Sequence, residues 1–488
     1  MIDISGGMRP RTPAQWKIPY EVSAEPMEGL VTGMGGIAVA SRAFRGMKLP
    51  GLFDANLASL RRIAAGYTAG QLAETAVVAV MLGADCVEDI DRLRDDPAAE
   101  KLLGYKPASG RAVRDWLEKF HDPKAVTRAR EAAAELDLKS SVPEPTVGLK
   151  GLQAVLGASA RATAERQAGG VPKVATVDMD ATVVESWKRA ALWTYTGVKG
   201  YQPELAVWAE AGAILATEFR DGNVPAAKDP LGCVKAAFAE LPATVTTLAF
   251  RADSACDEGA LLAWLDDEQR EGGPQQRIEY AVSARMCPEL VTAACAVQDS
   301  DWHTLGTDAD GTMRQTAELD YVPALPTERK DARPRRYIGL RLLKPQGELF
   351  NDGHDRKHFA VVTNRTERGD RVIEWHREKA GTIEHVHDEM KNALAAAALP
   401  SQKFGANAAW FALNAVVYNV MAALRAAAPD PELRIARVKR LRFGLLLVGA
   451  RLTRFSRKIT LRFAASRNWI AMIRQLFAAF PCRVQPTG

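Results

Sequence analysis

The chain has 488 residues, of which 47% are hydrophobic and 25% charged, a balance that excludes disorder over most of its length. At roughly 100–200 residues per domain, this length predicts about three units. The net charge of +5 is too small to imply a nucleic-acid partner by itself, so its distribution matters more. Six scattered cysteines, with no Cys-x-x-Cys pair, argue against a zinc site or a disulfide framework and fit reduced thiols in a cytoplasmic protein. The N-terminus has no basic region followed by an apolar core and a cleavage site, and the expectation is neither a signal peptide nor a membrane span.

Apolar residues at helical spacing predict helices at Ala58–Ala65, Gln71–Leu82 and Ala112–Phe120, a helical N-terminal domain for DNA binding or dimerisation. Ser140–Pro145 has the character of a linker. Lys173–Val177 reads as a strand running into Asp178 and Asp180, with further strands at Ala191–Tyr195 and Ala211–Phe219. A helix is expected over Leu231–Leu241, a strand over Val245–Arg251 ending at Asp253, a helix over Gly259–Gln269 and a strand over Ile278–Ser283. From about Val297 the chain turns strand-poor, recovering at Tyr337–Leu343 and His358–Thr363, which suggests a β-rich insertion. Trp375–Ala398 and Trp410–Ala427 read as helices, Leu441–Gly449 and Ile459–Phe463 as strands. The expected divisions are 1–140, 141–296, 297–365, 366–428 and 429–488.

Basic residues concentrate near the C-terminus. Between Pro431 and Arg474 twelve cations, from Arg434 to Arg474, face only Glu432. A segment this lopsided points to phosphate binding, because each neutralised phosphate releases counterions. A smaller run comprises Arg329, Lys330, Arg333, Arg335, Arg336 and Arg341.

Asp180 stands in an Asp-x-Thr order after a strand, Asp253 follows a second strand in Phe250-Arg251-Ala252-Asp253-Ser254, and Glu384 lies on a helix. Each alone has a plain structural reading as a turn or helix cap. Together they suit phosphodiester chemistry, in which two divalent ions activate a nucleophile and stabilise a leaving oxygen. Magnesium takes carboxylates, waters and substrate oxygens. Asp178 shares a strand face with Asp180, and Asp388 lies one helical turn past Glu384; these are the alternative first and third carboxylates. The tryptophans Trp187, Trp193 and Trp208 read as packing residues, and Trp302 as the candidate for inserting beside a flipped base.

Asp178–Thr182, Gly197–Pro203, Phe219–Asn223, Arg251–Ser254, Thr363-Asn364 and Ile383–Lys391 occur in an order that resembles bacterial insertion-sequence transposases with a DDE triad, most closely the insertion sequence 1380 family. Leu93–Pro97 and Asn407–Asn419 extend the resemblance over most of the chain. It implies an α/β fold: an RNase H-like mixed-sheet core interrupted by the β-rich insertion. It implies that Asp180, Asp253 and Glu384 are both catalytic and metal-binding, Asp180 bridging two Mg2+ ions that Mn2+ can replace. Lys391 resembles the family lysine that touches DNA phosphate. Many relatives carry a tyrosine and an arginine at spacings that here fall on Arg377 and Ala380; Arg377 and Lys379 are candidates to substitute. Arg251 and Asn364 are further candidate DNA contacts, each with a structural reading of equal weight.

The function implied is cut-and-paste transposition: cleavage at terminal inverted repeats, then strand transfer into target DNA, by a homodimer in a synaptic complex, in the bacterial cytoplasm and with no membrane partner. The competing readings are a nuclease of the same fold and a catalytically silent, transposase-derived DNA-binding protein.

Overall fold

The computed structural model describes residues 22–25, 27–60, 66–323, 334–455 and 458–482. Leu30–Thr32 (β1) is the first strand among the described residues, and helices fill most of the described chain from there to residue 164. The helix Ala69–Leu82 illustrates how sequence sets their limits. The Thr68 side chain accepts from the Gln71 backbone N–H, the Gln71 side chain accepts from the Thr68 N–H, and Gly83 closes the helix at φ 115°. Of the expected Ala58–Ala65 helix, a short turn at Ala58–Leu60 is seen and residues 61–65 lie outside the described residues.

Val174–Ala181 (β2) opens the main sheet. The short strands Val184–Glu185 (β3), Leu192–Trp193 (β4) and Lys199–Tyr201 (β5) form a separate small sheet in the order β3-β5-β4. The main sheet resumes with Glu204–Trp208 (β6), Ala213–Glu218 (β7), Thr247–Ala252 (β8) and Ile278–Ser283 (β9). It continues through His303–Thr307 (β10), Met313–Leu319 (β11), Arg336–Leu343 (β12) and Arg356–Thr363 (β13). Ala450–Phe455 (β14) and Lys458–Phe463 (β15) join β1 in a third sheet in the order β1-β14-β15.

The nine strands of the main sheet run β10-β11-β12-β13-β9-β8-β2-β6-β7. β2, β8 and β9 are parallel; the other neighbours are antiparallel. β2 and β8 are buried along most of their length, as central strands covered on both faces must be. The strands of the 297–365 segment lengthen this sheet beyond β9.

Three sequence expectations are corrected. Ala191–Tyr195 contributes only two strand residues, to the small sheet, and the second strand of the main sheet is instead the fully buried Glu204–Trp208. Leu441–Gly449 is not a strand: Val438–Leu445 is a helix that buries Val438, Leu441 and Leu445 on one face and leaves Phe443 exposed. The expected helix Trp375–Ala398 is two helices, Gly369–Arg377 and Lys379–Asn392, meeting at Glu378.

The helix Phe404–Ala427 runs through the middle of the largest hydrophobic cluster, which also takes in Phe44, Val77 and Trp116 from the N-terminal helices and Leu476 and Phe480 from the C-terminus. Its uncharged run Phe404–Leu424 is as long as a membrane-spanning helix, contrary to the sequence reading, but it is buried within the protein. The polar residues in it are all accounted for. Asn414 accepts from Ala395 N–H, and Asn419 both accepts from and donates to the backbone of Ile214 in β7. Asn419 thereby locks the helix to the sheet and Asn414 locks it to the turn at Ala395, since an unpaired buried amide would cost about 1–3 kcal/mol.

Candidate active site

The parallel register of β2 and β8 is the starting point. Asp178 pairs with Arg251 and Met179 with Ala252, so one step further brings Asp180 level with Asp253. Adjacent strands lie about 4.8 Å apart. The two aspartates, 73 residues apart in sequence, therefore meet at the same end of neighbouring strands.

Asp178 is fully buried and already committed. The Arg251 guanidinium holds it with two hydrogen bonds, Nε to Oδ1 at 2.7 Å and Nη2 to Oδ2 at 2.9 Å. Thr382 Oγ1, from the glutamate-bearing helix, donates to the same carboxylate. Arg251 also donates to the Trp375 carbonyl and to Glu378, and sits 5.1 Å from the Trp375 ring centroid. At 2% exposure, this arginine is a pin between two strands and two helices.

Asp180 is different. Its side chain is partly open; Oδ1 accepts from the Ala181 N–H at 2.9 Å and Oδ2 lies 3.8 Å from Lys379 Nζ. Burial, opposed by the Lys379 charge and reinforced by the charges of Asp253 and Glu384, pushes its carboxyl up to about 6. The charges of Asp253 and Glu384 add to the effect of burial at Asp180, because a like charge nearby disfavours a further ionised carboxylate. Asp253 accepts from Ala255 N–H at 3.0 Å as it caps the turn after β8, and Glu384 is exposed.

The helix Lys379–Asn392 is docked along β2 by Lys379 near Asp180, Thr382 on Asp178 and Lys391 Nζ donating to Thr182 Oγ1 at 2.9 Å. Asp388, the alternative third carboxylate, points away and pairs with Arg437 at 2.9 Å.

Among the described residues, no three His, Cys, Asp or Glu side chains converge on one point as a closed metal site requires. An all-oxygen set in which one aspartate is shared between two ions gives each ion only two protein carboxylates, the rest being water and substrate, which is the habit of magnesium. Burial is the main cause of the raised Asp180 carboxyl, and the charges of Asp253 and Glu384 add to it against the opposing Lys379 charge, so the three carboxylates fit such a set by their chemistry.

The other sequence candidates separate cleanly. Arg377 is exposed and Lys379 is largely buried beside Asp180. Asn364 donates to the Ile278 carbonyl and accepts from the Tyr280 N–H, so its amide staples β9. Trp302 is 5% exposed, with Arg341 4.5 Å above its ring, and is a packing residue. Of the smaller basic run, Arg335, Arg336 and Arg341 are paired with Asp266, Glu318 and Asp299, while residues 329, 330 and 333 lie outside the described residues.

Two histidines, half-buried His376 and buried His387, were not among the site residues expected from the sequence. His376 Nε2 lies 3.0 Å from the carbonyl of Ala252, directly before Asp253, and burial holds its pKa down to about 4. Among the described residues His387 has no hydrogen-bond partner at either ring nitrogen, and burial with the nearby Lys391 and Lys379 charges lowers it to about 3. Their spacing around Glu384 was visible in the sequence; their burial was not.

The family model described as transposase DDE domain group 1 matches residues 20–483, and the chain belongs to that family of DDE-type transposases. A cryo-EM structure of a piggyBac transposase synaptic complex with hairpin DNA is similar to it at 8% identity, covering 84% of this chain and 80% of that one, with a TM-score of 0.40. No curated protein matches the chain.

Proposed function

We propose that this transposase performs cut-and-paste transposition of an insertion sequence of the 1380 type, through Asp180, Asp253 and Glu384 on an RNase H-like core. The observation that carries the reading is the meeting of the two aspartates level on parallel strands, with the Glu384 helix docked beside them. Strands β7-β6-β2-β8-β9 support the fold assignment: three antiparallel strands followed by two parallel to the first is the RNase H-like pattern. In this reading β10–β13 are the insertion between the second aspartate and the glutamate.

Asp180 would be shared by two magnesium ions, with Asp253 and Glu384 each holding one. When bound, the ions supply activation of the attacking hydroxyl and neutralisation of the leaving oxygen. The protein's own part is positional. The Asp178–Arg251 pair fixes the two strands, His376 braces the backbone before Asp253, and Lys391 and exposed Arg377 offer cations to phosphate. The exposed arginines Arg451 and Arg462, facing each other across β14 and β15, offer further cations to phosphate. Both DNA ends must be held together, so a homodimer is the working assembly.

The test is excision of a donor plasmid carrying the gene's flanking inverted repeats, with magnesium, by wild type and Asp180→Asn. Excision by wild type alone, leaving 3′-hydroxyl ends, supports the reading; equal excision by both removes Asp180 from the site. A second reading has one observation in its favour. The Lys379 ammonium beside Asp180 partly neutralises the carboxylate, as would suit a silent DNA-binding derivative. Specific binding to the repeats without cleavage in magnesium or manganese would establish that alternative.

A further inference from the structure

We infer that the small sheet β3-β5-β4 is a stacking platform for unpaired DNA bases beside the candidate active site. Trp187, Trp193 and Tyr195 are 88%, 63% and 80% exposed. Among the described residues no other tryptophan is classed as exposed. Sequence reasoning took both tryptophans for packing residues, and the structure gives them almost nothing to pack against.

The unit that carries them is firmly built. Thr194 N–H and Oγ1 both donate to the Val198 carbonyl, closing a turn at Gly197 whose φ is 79°. A Cβ on Gly200 would run into the Val184 carbonyl, and one on Gly222 into the carbonyls of Gly200 and Leu192, so the layers below are in close backbone contact. Beneath, buried Tyr201 packs on Phe219 with ring centroids 4.9 Å apart. The aromatic residues thus project from a scaffold already ordered, which lowers the entropy lost on binding.

Charge and position select the partner. Lys188, Arg189 and Lys199 accompany the aromatics, Lys199 Nζ lying 5.7 Å from the Trp193 ring centroid, and Glu185 is the single acidic residue between Val183 and Pro203. Aromatic faces interleaved with cations match bases and phosphates; the cores of protein–protein interfaces are depleted of charge. Bases stacked within a duplex hide their faces, so the platform requires unpaired ones. Seven residues separate Asp180 from Trp187, a span of at most about 25 Å, or about seven base pairs. Thr182, between them, is tied to Lys391 of the glutamate helix. The identification of the strand as one unpaired near the cut rests on the transposase reading; the stacking itself does not.

The experiment titrates the full chain, without divalent metal, with a fifteen-nucleotide oligothymidylate and with a duplex of the same length, following tryptophan fluorescence and anisotropy. Wild type should bind the single strand with quenching. The double variant Trp187→Ala/Trp193→Ala should bind it at least tenfold more weakly, keep its duplex affinity and keep its thermal midpoint, because both side chains are exposed. Trp187→Phe/Trp193→Phe should restore most of the affinity. Unchanged single-strand binding by the alanine variant would overturn the inference. So would a changed sedimentation coefficient with unchanged single-strand binding, which would make the patch a contact between copies. Tryptophan-dependent binding without any Asp180-dependent excision would leave the platform standing and sink the transposase reading alone.

Discussion

At the scale of single residues, Asp178 and Asp180 are two positions apart on one strand and have opposite environments. Arg251→Ala should cost about 3–5 kcal/mol, because it strands the Asp178 carboxylate without its counter-charge in a buried position. Urea unfolding measures this, and an unchanged midpoint would mean that Arg251 is not the pin described. Asp180 carries the reverse sign. Its folded-state carboxyl is raised to about 6 from the ordinary value of 3.8, so the folded protein holds a proton that the unfolded chain has released between those values. That contribution is present below about pH 4 and is lost as pH rises through about 6. In chelator, Asp180→Asn should therefore raise stability at pH 7.5 by up to about 3 kcal/mol, at about 1.4 kcal/mol per pKa unit, while abolishing excision. A variant that loses both stability and excision would mark Asp180 as structural.

At the scale of elements, the helix Val438–Leu445 offers a direct test of period. A strand would put residues 441, 443 and 445 on one face; the helix separates buried Leu441 and Leu445 from Phe443, which is 69% exposed. Leu441→Ala should cost about 2–5 kcal/mol, and Phe443→Ser less than about 0.5 kcal/mol. Equal costs in thermal melts would contradict the helix. The same logic explains why β6 was missed. Glu204–Trp208 is buried at every position, so it lacks the alternation that marks a half-exposed strand, and its Glu204 pairs internally with Arg220 rather than facing water.

At the scale of the whole molecule, the helix Arg467–Ala478 closes onto the helix Ile37–Gly46. Arg42 donates to the Phe477 carbonyl, Arg166 lies 4.6 Å from the Phe480 ring centroid, and a side chain on Gly46 would run into Phe480. Truncation after residue 464 should therefore raise amide hydrogen exchange in Ile37–Gly46, 420 residues away in sequence, by at least tenfold, while β8 and β9 stay protected. Uniform protection in the truncated protein would show the two ends to be independent. Affinity of the full chain for inverted-repeat duplex should fall steeply with salt, and substituting Arg451 and Arg462 should lower the slope by about two.

The sequence by itself determined the elements whose signal is local and periodic, such as the Ile278–Ser283 strand and the helix that begins at Leu231. It also carried the membership among DDE-type transposases, because the ordered motifs survive without any knowledge of contacts. The tertiary structure decided what depends on partners distant in the chain. Asp178 is occupied because Arg251 and Thr382 reach it from other elements, Arg251 and Asn364 serve the scaffold, and Trp302 is covered. Trp187 and Trp193 are bare although tryptophan composition alone argues for burial. Periodicity reports which face of one element is apolar; only packing of several elements determines which charges meet, and electrostatics at close range follows from that meeting.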